Sequence, residues 1–319
     1  AGLMFGGQSP VTGATEEYNS NINAITQAVW ASGGNLNNDR RSISGSPKGT
    51  SSATIAFGGF GPTGSSNKTE SYNGTSWTNA PTMPYSDYAQ FGIGSQSDAL
   101  AAGGTGSSAT ILWNGSSWTA SPATINTSRY SGAANGTTSA GLAFGGYIGP
   151  TATRSNASEE YDGTSWASGN SLNTGRSGLG GSGTQTAGLA FGGQAAPGIT
   201  GTTELYDGTS WTTSPASMGT VRTSLTGSGS SQTSMIAFGG YIPGASPTNQ
   251  NATEAWNGTA WSTDAPINTA RFDSDAGAGT SSDAIYSGGW DLVAAGGLTA
   301  TEEYTGGTET ATASTLTTS

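Results

Sequence analysis

The sequence predicts an all-β chain built from one supersecondary unit used seven times. Three observations carry this: glycine pairs recur along the whole length, each follows a short strand-like run, and an aromatic and a tryptophan bracket a tight turn after most of them. The pairs are Gly6-Gly7, Gly58-Gly59, Gly103-Gly104, Gly145-Gly146, Gly192-Gly193, Gly239-Gly240 and Gly288-Gly289, spaced 42 to 52 residues apart. A period near fifty kept across a chain signals a repeat architecture and not a set of separate domains. The reading is a single domain over residues 1–319, with units starting near residues 1, 53, 98, 140, 187, 234 and 283.

Three residues before each glycine pair stands an aliphatic side chain: Leu3, Ile55, Leu100, Leu142, Leu189, Ile236 or Ile285. Two places later comes Phe5, Phe57, Ala102, Phe144, Phe191, Phe238 or Ser287, with a small residue, usually Ala, between. Alternation with a period of two marks a strand, and large residues meeting alanines suit sheets packed face to face. A second strand ends in Tyr18, Tyr72, Trp113, Tyr161, Tyr206, Trp256 or Tyr304. In the five central units Asn-Gly or Asp-Gly and two small residues follow, and then Trp77, Trp118, Trp166, Trp211 or Trp261. Such a pair between strands supplies the positive φ angles of a tight hairpin. Unit one reaches Trp30 only after an insertion, and unit seven has Glu309 at this place. Beyond each Trp a polar loop leads to a segment of small residues, commonly opened by Arg41, Arg129, Arg176, Arg222 or Arg271. Low side-chain bulk suits an innermost strand where several backbones crowd an axis.

Composition removes whole classes of chemistry. The 319 residues include 9 Lys and Arg against 20 Asp and Glu, a formal charge of −11, and neither His nor Cys. A zinc site of the usual ligands, a cysteine nucleophile, a Ser-His-Asp triad and a disulfide framework are all excluded. Only Lys48 and Lys68 represent lysine, so the basic footprint that a phosphate backbone needs is missing and nucleic acid is not an expected partner. No apolar run reaches the length of a membrane-spanning helix, so no membrane insertion is expected. The 53 glycines and 33% apolar content could describe a disordered polymer. The regular placement of Trp, Tyr and Phe points instead to a packed core.

Aliphatic strand, Gly-Gly, variable loop, aromatic, tight turn, Trp, loop and Arg together resemble the kelch repeat, over nearly the whole chain. The resemblance implies a seven-bladed kelch-like β-propeller of four-stranded antiparallel blades. The wording of the repeats, with Ala143-Phe144-Gly145-Gly146-Tyr147 before the loop and Glu159-Glu160-Tyr161-Asp162-Gly163-Thr164-Ser165-Trp166 after it, is similar to kelch-like structural proteins of marine bacteriophages, especially those infecting cyanobacteria. That similarity implies a non-enzymatic virion surface protein, of tail, fibre or capsid decoration. Its implied partners are other virion subunits and a host-surface glycan or receptor, and no cofactor or metal is implied. The alternatives are a purely architectural virion subunit, or a secreted bacterial adhesin or glycan-active protein. Because the chain starts in a second strand, the segment Thr308 to Ser319 is expected to supply the missing innermost strand of unit one and close the ring. In that register Thr315-Leu316-Thr317-Thr318 aligns with Thr223-Ser224-Leu225-Thr226.

In such a fold the loops after the glycine pairs open on one face, and they vary from Thr105–Ala109 to the long Tyr147–Ala157 and Tyr241–Ala252. Variable loops on a rigid scaffold are where binding resides. Phe60, Tyr147, Tyr241 and Trp290 are the candidate ligand-binding aromatics, suited to stacking on sugar faces beside Asn, Gln, Ser and Thr; their other reading is as caps on blade edges. Arg41, Arg129, Arg176, Arg222 and Arg271 either surround the channel mouth and attract sulfated or acidic glycans or tie down their own loops through backbone carbonyls. A repeat-wide position favours the second. Glutamates recur at Glu16, Glu70, Glu159, Glu204, Glu254 and Glu302, with Ile111 replacing one. Neighbours such as Glu159 and Glu160 point to opposite faces of a strand, and equivalents on adjacent sheets stand about 10 Å apart, so no catalytic pair is expected. Asp273-Ser274-Asp275-Ala276-Gly277 lacks the later ligands of a calcium loop and reads as a turn.

Overall fold

The computed structural model describes residues 2–4, 16–18 and 24–310, apart from 150–152, 246–247 and 294–295. Two compact units result: residues 29–305, and residues 1–28 with 306–319. Every regular element among the described residues is a strand.

The larger unit holds six main sheets, each with four antiparallel strands; the first also carries a fifth, parallel strand, and the last takes its fourth strand from the start of the unit. Sheet I comprises Ile43–Gly45, Thr54–Phe57, Thr69–Tyr72 and Trp77–Ala80. Sheet II comprises Phe91–Gly94, Ala99–Ala102, Ala109–Trp113 and Trp118–Thr124. Sheet III is Ala133–Thr137, Ala140–Phe144, Ser158–Tyr161 and Trp166–Ser168. Sheet IV is Gly180–Thr184, Ala187–Phe191, Thr202–Tyr206 and Trp211–Ser217. Sheet V is Thr226–Ser231, Ser234–Phe238, Thr253–Trp256 and Trp261–Asp264. Sheet VI pairs Gly277–Gly279, Asp283–Ser287 and Thr301–Thr305 with Val29–Ser32 from the other end of the unit.

Six sheets, where the sequence predicts seven, follow from where Trp30 goes. Its strand joins the last sheet, with Trp30 facing Tyr304, as Trp77 faces Tyr72 and Trp166 faces Tyr161. Trp30 therefore supplies the tryptophan that the seventh unit lacks, and Glu309 is not at that place. Among the described residues, the first glycine-pair unit contributes one strand pair: Gly2–Met4 with Glu16–Tyr18, Gly2 opposite Tyr18. Residues 308–310 pair with Ala24–Thr26. The aligned stretch 315–318 lies outside the described residues.

Successive sheets pack large on small, as the alternation requires. Ile55 and Phe57 share a buried cluster with Ala99 and Ala101, and Leu189 and Phe191 share one with Ala237. The tryptophan that opens each outer strand reaches back one sheet: Trp118 Nε1 donates to Thr69 Oγ1 (2.9 Å), Trp166 to Thr110 (3.0 Å) and Trp261 to Thr203 (2.9 Å). Trp77 of sheet I donates likewise to Thr301 Oγ1 of sheet VI (2.9 Å), so first and last sheets meet as the others do. Trp30 departs from the series, donating to Ala265 O (3.0 Å), and the buried Thr253 hydroxyl has no partner.

A second circuit runs through the backbone. Ala89 N–H donates to Ser42 O, Ser131 to Ala89, Gly178 to Ser131, Ser224 to Gly178, Asp273 to Ser224 and Ser42 to Asp273, at 2.5 to 3.1 Å. All six residues have φ between +48° and +63°. The glycine pairs belong to the same construction. Gly145 and Gly146 have φ of +67° and +97°, and Gly146 N–H donates to Arg176 O of the next repeat (2.7 Å). A Cβ on Gly145 would stand 2.8 Å from that same oxygen, so both conformation and space demand glycine. In the hairpin turns only the glycine takes positive φ. The preceding Asn or Asp contributes its side chain: Asp162 Oδ1 accepts from the Thr164 and Ser165 N–H groups (both 2.7 Å).

Candidate functional site

The predicted site residues fall into two groups with different fates. Arg129, Arg176, Arg222 and Arg271 are fully buried, which takes them out of reach of a ligand. Each guanidinium lies against a glutamate of its own sheet: Arg129 Nη2 to Glu159 Oε1 2.7 Å, Arg176 to Glu204 2.8 Å, and Arg222 and Arg271 through Nη1 to Glu254 and Glu302, both 2.5 Å. Arg176 Nη1 also donates to Gly192 O (2.9 Å) and Thr202 O (2.8 Å). The other glutamate oxygen receives a backbone N–H of the incoming loop: Asn126 to Glu159 (2.6 Å), Asn173 to Glu204 (2.7 Å) and Asn268 to Glu302 (2.6 Å). The pair thus clamps the loop arriving from the previous sheet onto the third strand of the next. Burial pulls the Arg129, Arg176 and Arg222 guanidinium pKa values down, and the facing glutamates push them back up.

Arg40, and not Arg41, is the corresponding residue of sheet I. It is 1% exposed and bonds Gly58 O (2.6 Å), Lys68 O (2.9 Å) and Glu70 Oε1 (2.8 Å). Sheet II lacks both halves together, with Asp87 at the arginine position and Ile111 at the glutamate position. Asp87 there accepts from Thr105 N–H (2.9 Å) and Thr105 Oγ1 (2.8 Å). Sequence reading found each series but not their pairing. The near-constant offset, Arg40 to Glu70 and Arg129 to Glu159 for example, was the available signal, and the joint loss at Asp87 and Ile111 was a second.

The aromatic candidates come together. The residue after each left-handed position's arginine, namely Arg41, Tyr88, Tyr130, Ser177, Thr223 and Phe272, sits at one end of the hydrogen-bond circuit. The residue after each glycine pair stands beside it: Arg41 bridges Phe60, Tyr130 pairs with Tyr147, Ser177 bridges Gln194, Thr223 bridges Tyr241 and Phe272 bridges Trp290. Ring contacts join them across sheets, Tyr241 to Phe272 at 5.0 Å and Phe60 to Tyr88 at 5.3 Å, and within one repeat, Tyr130 to Tyr147 at 5.5 Å between centroids. Tyr147 Oη donates to Gln194 Oε1 (2.7 Å). Phe60, Tyr147, Tyr241 and Trp290 are each half-buried, with the remaining surface open to solvent. Tyr88, Tyr130 and Phe272 belong to the same cluster and escaped the sequence reading, because as single residues at the start of a small-residue segment they look like loop; Arg41, named there as one of the repeat arginines, joins them.

One cavity of about 20 Å³ lies against the left-handed circuit and another of about 30 Å³ is lined by Gly92, Gly132, Leu179, Thr226 and Asp275. Asp275 reaches it because sheet VI has one extra residue. Gly277 faces Tyr286, where the spacing of sheet I, with Gly45 opposite Ala56, would place Ala276. The extra residue lets Ser274–Asp275 add to Ile43–Gly45 as a parallel strand. Burial and the neighbouring Asp273 carboxylate hold the Asp275 pKa well above the ordinary value. No group of three or more acidic side chains able to hold a metal occurs among the described residues.

Among the recurrent glutamates, Glu70, Glu159, Glu204, Glu254 and Glu302 are occupied by the arginine clamps, and Glu160 accepts the Tyr206 hydroxyl. The Glu16 side chain lies outside the described residues. A scan against family models and a search of curated proteins return no match to this chain.

Proposed function

We propose that residues 29–305 form a six-bladed β-propeller of kelch-like repeats whose aromatic mouth is a carbohydrate-recognition surface, in a non-enzymatic protein of a bacteriophage particle. The observation that carries the recognition reading is the convergence of Phe60, Tyr88, Tyr130, Tyr147, Tyr241, Phe272 and Trp290 at one end of the axis on half-buried, mutually braced rings. Rings held in place by neighbours present flat apolar faces without an ordering cost on binding, and the hydroxyl and amide groups of Ser177, Thr223 and Gln194 stand beside them. The support for a non-enzymatic role is that five of the six recurrent glutamates are spent in buried ion pairs. The support for the phage assignment is the wording of the repeats.

The test is binding of the purified chain to a glycan array, repeated with Tyr147→Ala, Tyr241→Ala and Trp290→Ala made singly. Specific binding weakened by each change, with an unaltered thermal midpoint, is expected. Absence of binding, or binding indifferent to all three changes, overturns the reading. The architectural alternative has its own observation: Leu292 and Val293, at the tip of the Trp290–Asp291 hairpin, are 43% and 92% exposed, an apolar tip of the kind that packs on another subunit.

A further inference from the structure

All six arginine positions are accounted for, five by clamps and one by Asp87, yet the doublet Arg40-Arg41 leaves one guanidinium over. Arg40 performs the clamp. Arg41 occupies the place taken by Tyr88, Tyr130, Ser177, Thr223 and Phe272 in the other sheets, so the only described cation at this inner ring is additional to what the fold uses. Its guanidinium carbon lies over Trp290 at 4.4 Å and over Phe60 at 5.1 Å from the ring centroids. Its Nε has no hydrogen-bond partner, its side chain is 36% exposed, and the nearest carboxylate oxygen, Asp273 Oδ2, stands at 3.9 Å from Nη1. That separation is beyond a hydrogen bond. Asp273 Oδ2 also accepts from Ser42 Oγ (2.8 Å), and its ion pair with Arg41 is loose, without a hydrogen bond between them.

A guanidinium whose faces rest on aromatic rings keeps its five N–H donors in its own plane, where they match an oxyanion. The rings also shield the charge from water, which strengthens its pull on a nearby anion. We infer that Arg41, held between Phe60 and Trp290, makes the mouth select acidic sugars, with the anionic group on the guanidinium and the sugar ring against the adjoining aromatics. This inference rests on the recognition reading above. A chain of net charge −11 has no general attraction for anions, so selectivity would come from local guanidinium contacts; Arg154 lies over Tyr147 at 5.8 Å from its centroid, whereas Arg41 rests on two rings at shorter range and is the specificity-determining residue.

The experiment uses the whole chain on an array carrying neutral, carboxylated and sulfated glycans, followed by titration of the strongest hit against wild type, Arg41→Lys and Arg41→Met. Binding confined to carboxylated or sulfated glycans is expected, with the two arms telling which oxyanion is taken. Arg41→Met is expected to lose tenfold or more, Arg41→Lys less, and wild-type affinity to fall as salt is raised. The methyl ester of a carboxylated hit should bind wild type no better than the acid binds Arg41→Met. Hits confined to neutral glycans, or equal affinity of wild type and Arg41→Met, overturn the inference and leave the recognition reading standing. No hits at all overturn both. The thermal midpoint of each variant is measured alongside, and an unchanged midpoint assigns the lost affinity to the contact and not to the fold.

Discussion

Replacing Arg176 by Met tests the clamp found in five of the six sheets. Arg176 and Glu204 have no side-chain exposure, and the guanidinium donates to two carbonyls and the carboxylate at 2.8 to 2.9 Å. Removing it strands Glu204 with one backbone donor, Asn173 N–H at 2.7 Å. Loss of a single partner from a buried ion pair costs about 3–5 kcal/mol, whereas replacing both by apolar groups costs far less. At about 2–4 °C per kcal/mol for a domain of this class, Arg176→Met should lower the midpoint by roughly 6–20 °C. Sheet II shows that the architecture tolerates joint loss, since Ile111 fills the glutamate position without an arginine opposite. The double variant Arg176→Met/Glu204→Ile should therefore recover a coupling of about 2 kcal/mol in a thermal or urea cycle. A midpoint for Arg176→Met within measurement error of wild type, or strict additivity in the double variant, would refute the reasoning.

Three further outcomes are expected. Thr203→Val deprives Trp261 of its acceptor and should cost about 1–3 kcal/mol, whereas Thr253→Val removes a hydroxyl that has no partner and should be neutral or stabilising, both read from urea midpoints. Trp30→Ala empties the site where Trp30 packs on Phe238 (5.0 Å) and Tyr304 (5.2 Å), and should cost about 3–5 kcal/mol and loosen sheet VI first, as followed by amide exchange of residues 301–305. The raised Asp275 pKa means that the folded chain binds a proton that the unfolded chain releases. Its contribution is greatest below the ordinary carboxylate value and is lost as pH rises through the raised one. Asp275→Asn should flatten that decline and stabilise at about pH 7. Asp162, held down to about 2 by the Ser165 and Thr164 N–H groups and the Thr164 hydroxyl, acts in the opposite sense and only below the ordinary value, so the two windows separate in denaturation curves taken across pH.

Much of the fold was legible because the repeat writes local chemistry in every copy. The alternation around Leu142 and Phe144, the turn at Asp162-Gly163 and the Trp166 that follows each state a strand, a reversal and a return. What escaped was the long-range choice among equivalents. Trp30 reads as a damaged member of the first unit, and nothing local says that its strand belongs beside Tyr304, because every third strand offers a similar edge. The arginine series shows the same limit at the doublet, where Arg40 and Arg41 are indistinguishable by type. Only the left-handed turn at Ser42, two residues past Arg40, fixes which one faces inward. The aromatic mouth was half visible, through the residues that follow glycine pairs. Its inner half needed the pairing of Tyr130 with Tyr147 to be seen.

The loan of Val29–Ser32 to the last sheet has a bearing on biosynthesis. A nascent chain that has emerged as far as Asp264 carries every strand of sheets I to V, yet those early residues still wait for Thr301–Thr305. Until then the flank of sheet I from which Trp77 donates its hydrogen bond lies bare, since Thr301 has not been made. Contacts this distant along a chain are slow to form, so the interval between synthesis of sheet V and arrival of sheet VI is when an unfinished copy is most exposed to pairing with its neighbour on the same message.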